Sequence, residues 1–144
     1  MPVRSATAEW NGNLMEGRGH ITGQSKAISV DYDWRSRSAD GANTNPEELI
    51  AAAHAGCYSM ALSHGLAQAG SPPVRIRTTA KVHFDKQESG FAITRIELDT
   101  EAVVPGIDDA AFQQQAEAAK KNCPVSRALA SVEIALSARL GEGA

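Results

Sequence analysis

The chain has 144 residues, a net charge of −3 and a sequence pI near 5.8, with arginines scattered rather than striped, which excludes the basic footprint of a nucleic-acid binder. Its longest apolar runs fall far short of the roughly 18 residues a membrane span needs. No charged segment followed by an apolar one opens the chain, so no secretory leader is read and a cytoplasmic location is expected. Length sets the default at one domain over residues 1–144, and two cysteines with irregularly spaced histidines give no metal-ligand signature.

The first third reads as strands: Ser5 to Trp10, then a turn at Gly12, Arg18 to Gln24, and Ile28 to Trp34 with Ile28, Val30, Tyr32 and Trp34 alternating. A polar loop from Ser36 to Thr44 leads into a strong helix start. Asn45 as N-cap with Pro46 at the first helical position and Glu48 three after the cap is one reading; Thr44 with Glu47 is an equally legal capping box. From Glu47 to about Ala69 nothing breaks the helix, and Gly70-Ser71-Pro72-Pro73 stops it. Its many alanines, with Gly56, Ser59 and Gly65, predict a buried central helix that other backbone approaches closely.

Two long strands follow. Val74 to Asp85 alternates over twelve residues, Lys86 to Gly90 turns, and Phe91 to Val104 returns, with a slip of apolar phase between Ile93 and Ile96 that predicts a bulge. Asp108 or Asp109 caps a helix from Ala110 to Lys121, Pro124 restarts a short one, and Val132 to Leu140 closes as a strand. The order βββ-α-ββ-α-β predicts an α+β fold with mainly antiparallel pairing. The long hairpin is too exposed to stand alone, so it wraps a helix or a second subunit.

Chemistry concentrates on Cys57 and Cys123, too far apart for a two-residue redox or zinc spacing, so only the fold can bring them together. Cys57 is mid-helix among small residues. The ordinary reading is a small core hydrophobe; a reactive Cys57 needs a cation from elsewhere, best an arginine whose fork also holds a carboxylate. Cys123 precedes a helix starting at Pro124, whose N–H groups favour its thiolate, making it the more acidic thiol on physical grounds. Glu47 lies ten residues before Cys57, about 15 Å along a helix axis, and reaches it only from another chain or across a break; otherwise it is a first-turn acid. His54 and His64 lie near the face of Cys57, so a Cys–His hydrolase or acyl transferase is one rival and a non-catalytic dimeric stress or binding protein another.

The run Thr44-Asn45-Pro46-Glu47-Glu48-Leu49-Ile50-Ala51-Ala52-Ala53-His54-Ala55-Gly56-Cys57, with Asn122-Cys123-Pro124-Val125-Ser126, resembles the two signatures of the OsmC/Ohr family. Gly90 to Thr94 and Val104 to Ile107 resemble its OsmC branch in particular. That resemblance implies an OsmC-like fold, with antiparallel sheets around long central helices in an intertwined homodimer, and a thiol-dependent peroxidase acting on organic hydroperoxides in preference to hydrogen peroxide. It implies Cys57 as peroxidatic cysteine, Cys123 as resolving cysteine closing a Cys57–Cys123 disulfide, and Glu47 as the active-site glutamate. The supporting arginine falls on Arg37, with Arg18 and Arg35 behind it. No bound metal, haem or flavin is implied, only an external dithiol reductant of dihydrolipoyl type, carried on a lipoylated protein or otherwise.

Overall fold

The computed structural model describes residues 2–142, which divide into two compact units, Met1–Leu49 and Ile50–Ala144. The first unit holds an antiparallel sheet of three strands in chain order, β1 (Ala6–Asn11), β2 (Arg18–Gly23) and β3 (Ser29–Tyr32). Gly19 of β2 sits in register with Trp10 and Tyr32 on its two sides. A Cβ there would lie inside the van der Waals radius of the Tyr32 ring and against Trp10, so only glycine lets the two rings close to 5.4 Å between centroids.

The third strand ends two residues earlier than the expected Trp34, because the chain turns into an unforeseen short helix, α1 (Trp34–Ser38). Asp33 caps it, accepting from the Ser36 N–H at 2.8 Å. The long helix α2 (Pro46–Gln68) then starts on Asn45, whose side chain accepts the Glu48 N–H at 2.8 Å. Thr44 turns instead to the Glu48 carboxylate, 2.5 Å away, which settles the start in favour of Asn45.

In the second unit a three-stranded sheet is ordered β4 (Arg75–Gln87), β5 (Gly90–Val103) and β6 (Glu133–Leu140). The β4–β5 hairpin is antiparallel, and its register jumps from His83↔Arg95 to Phe84↔Ile93, leaving Thr94 as the bulged residue where the phase slip predicted one. Strand β6 departs from the antiparallel pattern and pairs with β5 in parallel. The reason is the intervening helices, α3 (Asp109–Asn122) and α4 (Pro124–Ala128), which carry the chain back to where β5 began.

Tyr58, Leu62 and Leu66 of α2, Leu98 and Ala102 of β5, and Phe112 and Ala119 of α3 form the buried core of this unit. The Tyr58 hydroxyl donates to the Ala116 carbonyl at 3.0 Å, so the buried phenol keeps a partner. Helix α2 buries Tyr58, Leu62 and Leu66 fully, while on another face Ala52, Ala53 and Gly56 are exposed and Met60 is 75% exposed. No described helix is long and apolar enough to cross a membrane.

Candidate active site

The fold brings the two cysteines together. Cys57 lies on α2 and is half-buried; Cys123 ends α3, precedes Pro124 of α4, and is fully buried. Each sulfur acts on the ionisation of the other. Burial pushes the Cys57 thiol up, outweighing the Val125 N–H, which favours its thiolate, and the neighbouring Cys123 pushes it further in the same direction. Cys123 moves the other way. Burial opposes its thiolate, but the Ser126 N–H, the Cys57 thiol, the Ser126 hydroxyl and the Val125 N–H together hold its pKa below the ordinary thiol value. The Cys123 side chain makes no N-cap hydrogen bond to α4, so the N–H groups of that first turn act on it as dipoles.

His54, one turn before Cys57, is fully buried and bonds through Nε2 to Ser126 Oγ at 2.7 Å. Burial lowers its pKa, so the ring is neutral, and its Nδ1 has no hydrogen-bond partner. His64 is exposed.

In the first unit, Arg37 of α1 forms a two-pronged pair with Glu47, Nε to Oε1 at 2.9 Å and Nη2 to Oε2 at 3.0 Å. The Glu47 side chain is 8% exposed, so its carboxylate is largely desolvated and the fork satisfies both of its oxygens. A web of short-range bonds holds α1 in place for this. Ser36 Oγ accepts from the Asn43 N–H, its carbonyl accepts from Asn45 Nδ2, and Asn43 Nδ2 donates to Asp33. The Ser36 N–H, with Ser36 Oγ and Asn43, holds the Asp33 carboxyl below the usual range.

Arg18 starts β2 and its charge acts on Asp33, while Arg35 lines a surface hollow with Asp40 and Asn43. Of the three arginines weighed, Arg37 is the one paired with Glu47. It also lines a cavity of about 440 Å³ walled by Trp10, Leu14, Tyr32, Trp34 and Pro46.

The family description "OsmC-like protein" matches residues 39–137, spanning both cysteines. The chain belongs to the OsmC family. It is 44% identical over 138 residues, 95% of its own length and 96% of the relative's, to a protein of Escherichia coli (strain K12) named Peroxiredoxin OsmC. An Organic hydroperoxide resistance protein of Xanthomonas axonopodis pv. citri is 33% identical over 91 residues, 62% of each chain. Among solved structures, the organic hydroperoxide resistance protein OhrB of Bacillus subtilis superposes with a TM-score of 0.71 at 26% identity, covering 95% of this chain and 98% of that one.

In this OsmC-family chain the sequence reading missed two features, one in each unit. The aromatic wall of Trp10, Tyr32 and Trp34 was readable only as strand alternation. Ser126 stood in the second signature without a role, although a hydroxyl three residues after Cys123, at the start of a Pro-led helix, is where an N-terminal contact is made.

Proposed function

We propose that this OsmC-family peroxidase reduces organic hydroperoxides, and hydrogen peroxide less efficiently, through Cys57. The Cys57 thiolate attacks the distal peroxide oxygen, the O–O bond breaks, and the leaving alkoxide takes a proton to become the alcohol. Cys57 is left as a sulfenic acid. The Cys123 thiolate then attacks that sulfur, hydroxide leaves as water, and a Cys57–Cys123 disulfide forms. An external dithiol of dihydrolipoyl type returns both thiols, with no bound cofactor, and the setting is cytoplasmic.

The observation that carries this reading is the meeting of two cysteines from distant parts of the chain around one buried contact. Access assigns the roles: the half-buried Cys57 is open to a peroxide, whereas the fully buried Cys123 is not, so the more acidic sulfur serves as the resolving one. The thiolate of Cys57 needs a cation, and Arg37, oriented by Glu47, supplies it from a second copy of the chain. Ten residues of unbroken helix separate Glu47 from Cys57, about 15 Å of rise, so a carboxylate serving this thiol comes from a partner. The exposed face of Gly56 and Met60 on α2 supports such a homodimer. The aromatic cavity beside Arg37 favours peroxides with an apolar body, in line with the name of the Xanthomonas relative.

The rival Cys–His hydrolase is disfavoured because the Nε2 of His54 is engaged by Ser126. A non-catalytic binding protein has no use for a matched thiol pair. Intact mass under non-reducing conditions, after one equivalent of cumene hydroperoxide, tests the proposal. Loss of two hydrogens per chain, with no covalent dimer on a non-reducing gel, is the expected result. An unchanged mass would leave the thiols inert and end the peroxidase reading.

A further inference from the structure

One face of the first sheet carries a side-chain cluster that the thiol chemistry does not use. His20 of β2 stands in register between Glu9 of β1 and Asp31 of β3. Its Nδ1 lies 2.6 Å from Asp31 Oδ1, and its Nε2 lies 3.0 Å from Ser29 Oγ, two residues earlier on the same strand. All three side chains are exposed. A carboxylate only accepts, so the neutral ring carries its proton on Nδ1, toward Asp31. The Nε2 lone pair then faces the hydroxyl, and Ser29 donates to it. That order decides the chemistry, because a ring turned the other way would donate to the hydroxyl and lend it no base.

The strand ladder adds a second element. The Gly23 N–H donates to the Ile28 carbonyl at 2.8 Å, which makes that pair a hydrogen-bonded one and the next, Thr22 with Ser29, a non-hydrogen-bonded one. The Ser29 N–H therefore points away from β2, toward the outer side of the edge strand. The Asp31 carbonyl points the same way and receives the Thr44 N–H at 3.2 Å. A backbone donor beside the hydroxyl is thus turned out of the ladder, toward a developing oxyanion.

We propose that Ser29 is an acyl-acceptor serine, with His20 as its general base and Asp31 as the positioning residue, and that it takes acyl groups from small activated esters. The site uses neither thiol and stands apart from the peroxidase reading. Ser29 Oγ attacks the ester carbonyl while its proton passes to His20 Nε2. The ester C–O bond breaks, the leaving oxygen departs with the bonding pair, and the imidazolium returns its proton to that oxygen or to solvent. An acyl ester of Ser29 remains, and nothing is oxidised or reduced. With all three side chains exposed, leaving-group quality rather than acyl shape governs the choice of ester.

The test is acetylation of the full-length reduced protein by p-nitrophenyl acetate in mildly alkaline buffer, followed by peptide mass mapping. Trypsin cutting after Lys26 and Arg35 releases Ala27–Arg35, in which Ser29 is the one serine; acetylated thiols fall on other peptides and are read apart. Ser25 is the internal reference, exposed and in the same unit, with a hydroxyl that receives the Ala27 N–H. General-base assistance is worth about 10²–10⁴-fold, so Ser29 is expected to acetylate at least about 100-fold faster than Ser25. His20→Phe is expected to bring Ser29 down to the Ser25 rate. Asp31→Asn is expected to slow it about tenfold or more and to move the His20 ring proton to Nε2, a change in the ring-nitrogen resonances that a merely structural aspartate would not produce. Ser29 acetylating no faster than Ser25 in the native chain, a comparison that needs no variant, overturns the inference. So does an unchanged Ser29 rate in whichever of the two variants folds.

Discussion

The Arg37–Glu47 pair and the Cys57–Cys123 pair solve burial in opposite ways. At the first, two formal charges neutralise each other through a fork of two hydrogen bonds, and the carboxylate is nearly enclosed. At the second, the groups acting on the sulfurs are backbone N–H dipoles, a hydroxyl and the other thiol. Dipoles at the start of α4 suffice to lower Cys123. They do not suffice for Cys57, which sits mid-helix, where burial dominates and raises it. On the proposed reading, the resolving half of the chemistry would be organised within the thiol region itself, while the peroxide-reducing half would wait on a charge.

The sharpest break in that comparison is between the cysteines. Cys57→Ser is expected to drop cumene hydroperoxide turnover to the uncatalysed background, roughly three or more orders of magnitude. Cys123→Ser is expected to keep a single round of peroxide consumption per chain and then stall. Quenched-flow counting of alcohol per chain separates the two, and equal loss of the first round in both variants would refute the division of roles.

Next in size is the charge. Removing a cation that favours a thiolate shifts its pKa by a unit or more, so Arg37→Ala is expected to slow Cys57 alkylation at neutral pH about tenfold or more. Arg18→Ala, at a site with no link to Glu47, is expected to change it little. Arg37→Lys should fall between, keeping the charge but losing the fork. Similar rates in Arg37→Ala and Arg18→Ala would remove Arg37 from the site.

A third variant asks whether a partner covers α2. A Cβ at Gly56 meets no heavy atom within 4 Å, so a single chain accommodates a side chain there and gains roughly 0.5 kcal/mol of helix stability. Gly56→Glu is therefore expected to leave an isolated chain folded but to dissociate a homodimer packed through this face, with a matching loss of turnover. Sedimentation of both proteins reads this directly; an undisturbed dimer would move the interface elsewhere.

What the sequence showed in advance was local. The helix starts, each to within one residue (Thr44 or Asn45, Asp108 or Asp109), the stop at Gly70, the alternating hairpin and a bulge between Ile93 and Ile96 each follow from residues within a few positions of one another. Helix α1 was hidden because five residues are too few for periodicity and because Asn43 and Asn45, which lock it, act from outside it. The parallel pairing of β6 depends on the crossover through α3 and α4, which no pattern inside β6 reveals. The acidity of Cys123 was readable from Pro124, a local feature. Its meeting with Cys57, and the pairing of Arg37 with Glu47, were reached through the family signatures rather than through spacing.

The smallest expected effect bears on His54, whose folded pKa is depressed by burial below 6.5. As pH falls through about 6.5 the unfolded chain takes up a proton at this position and the folded chain does not, so the unfolded state binds more protons and stability declines. Above that range both states are neutral there, and the contribution is flat. One proton gives a slope of at most about 1.4 kcal/mol per pH unit. The lowered carboxylates, Asp33 held down by the Ser36 N–H and Glu97 by His83, titrate below their ordinary values of 3.8 and 4.5 and fall outside this window. Urea titrations at pH values of about 7.5 and 5.5 should show the native chain losing stability with acid, and His54→Leu losing less. If the variant loses as much, the ring is charged in the folded protein.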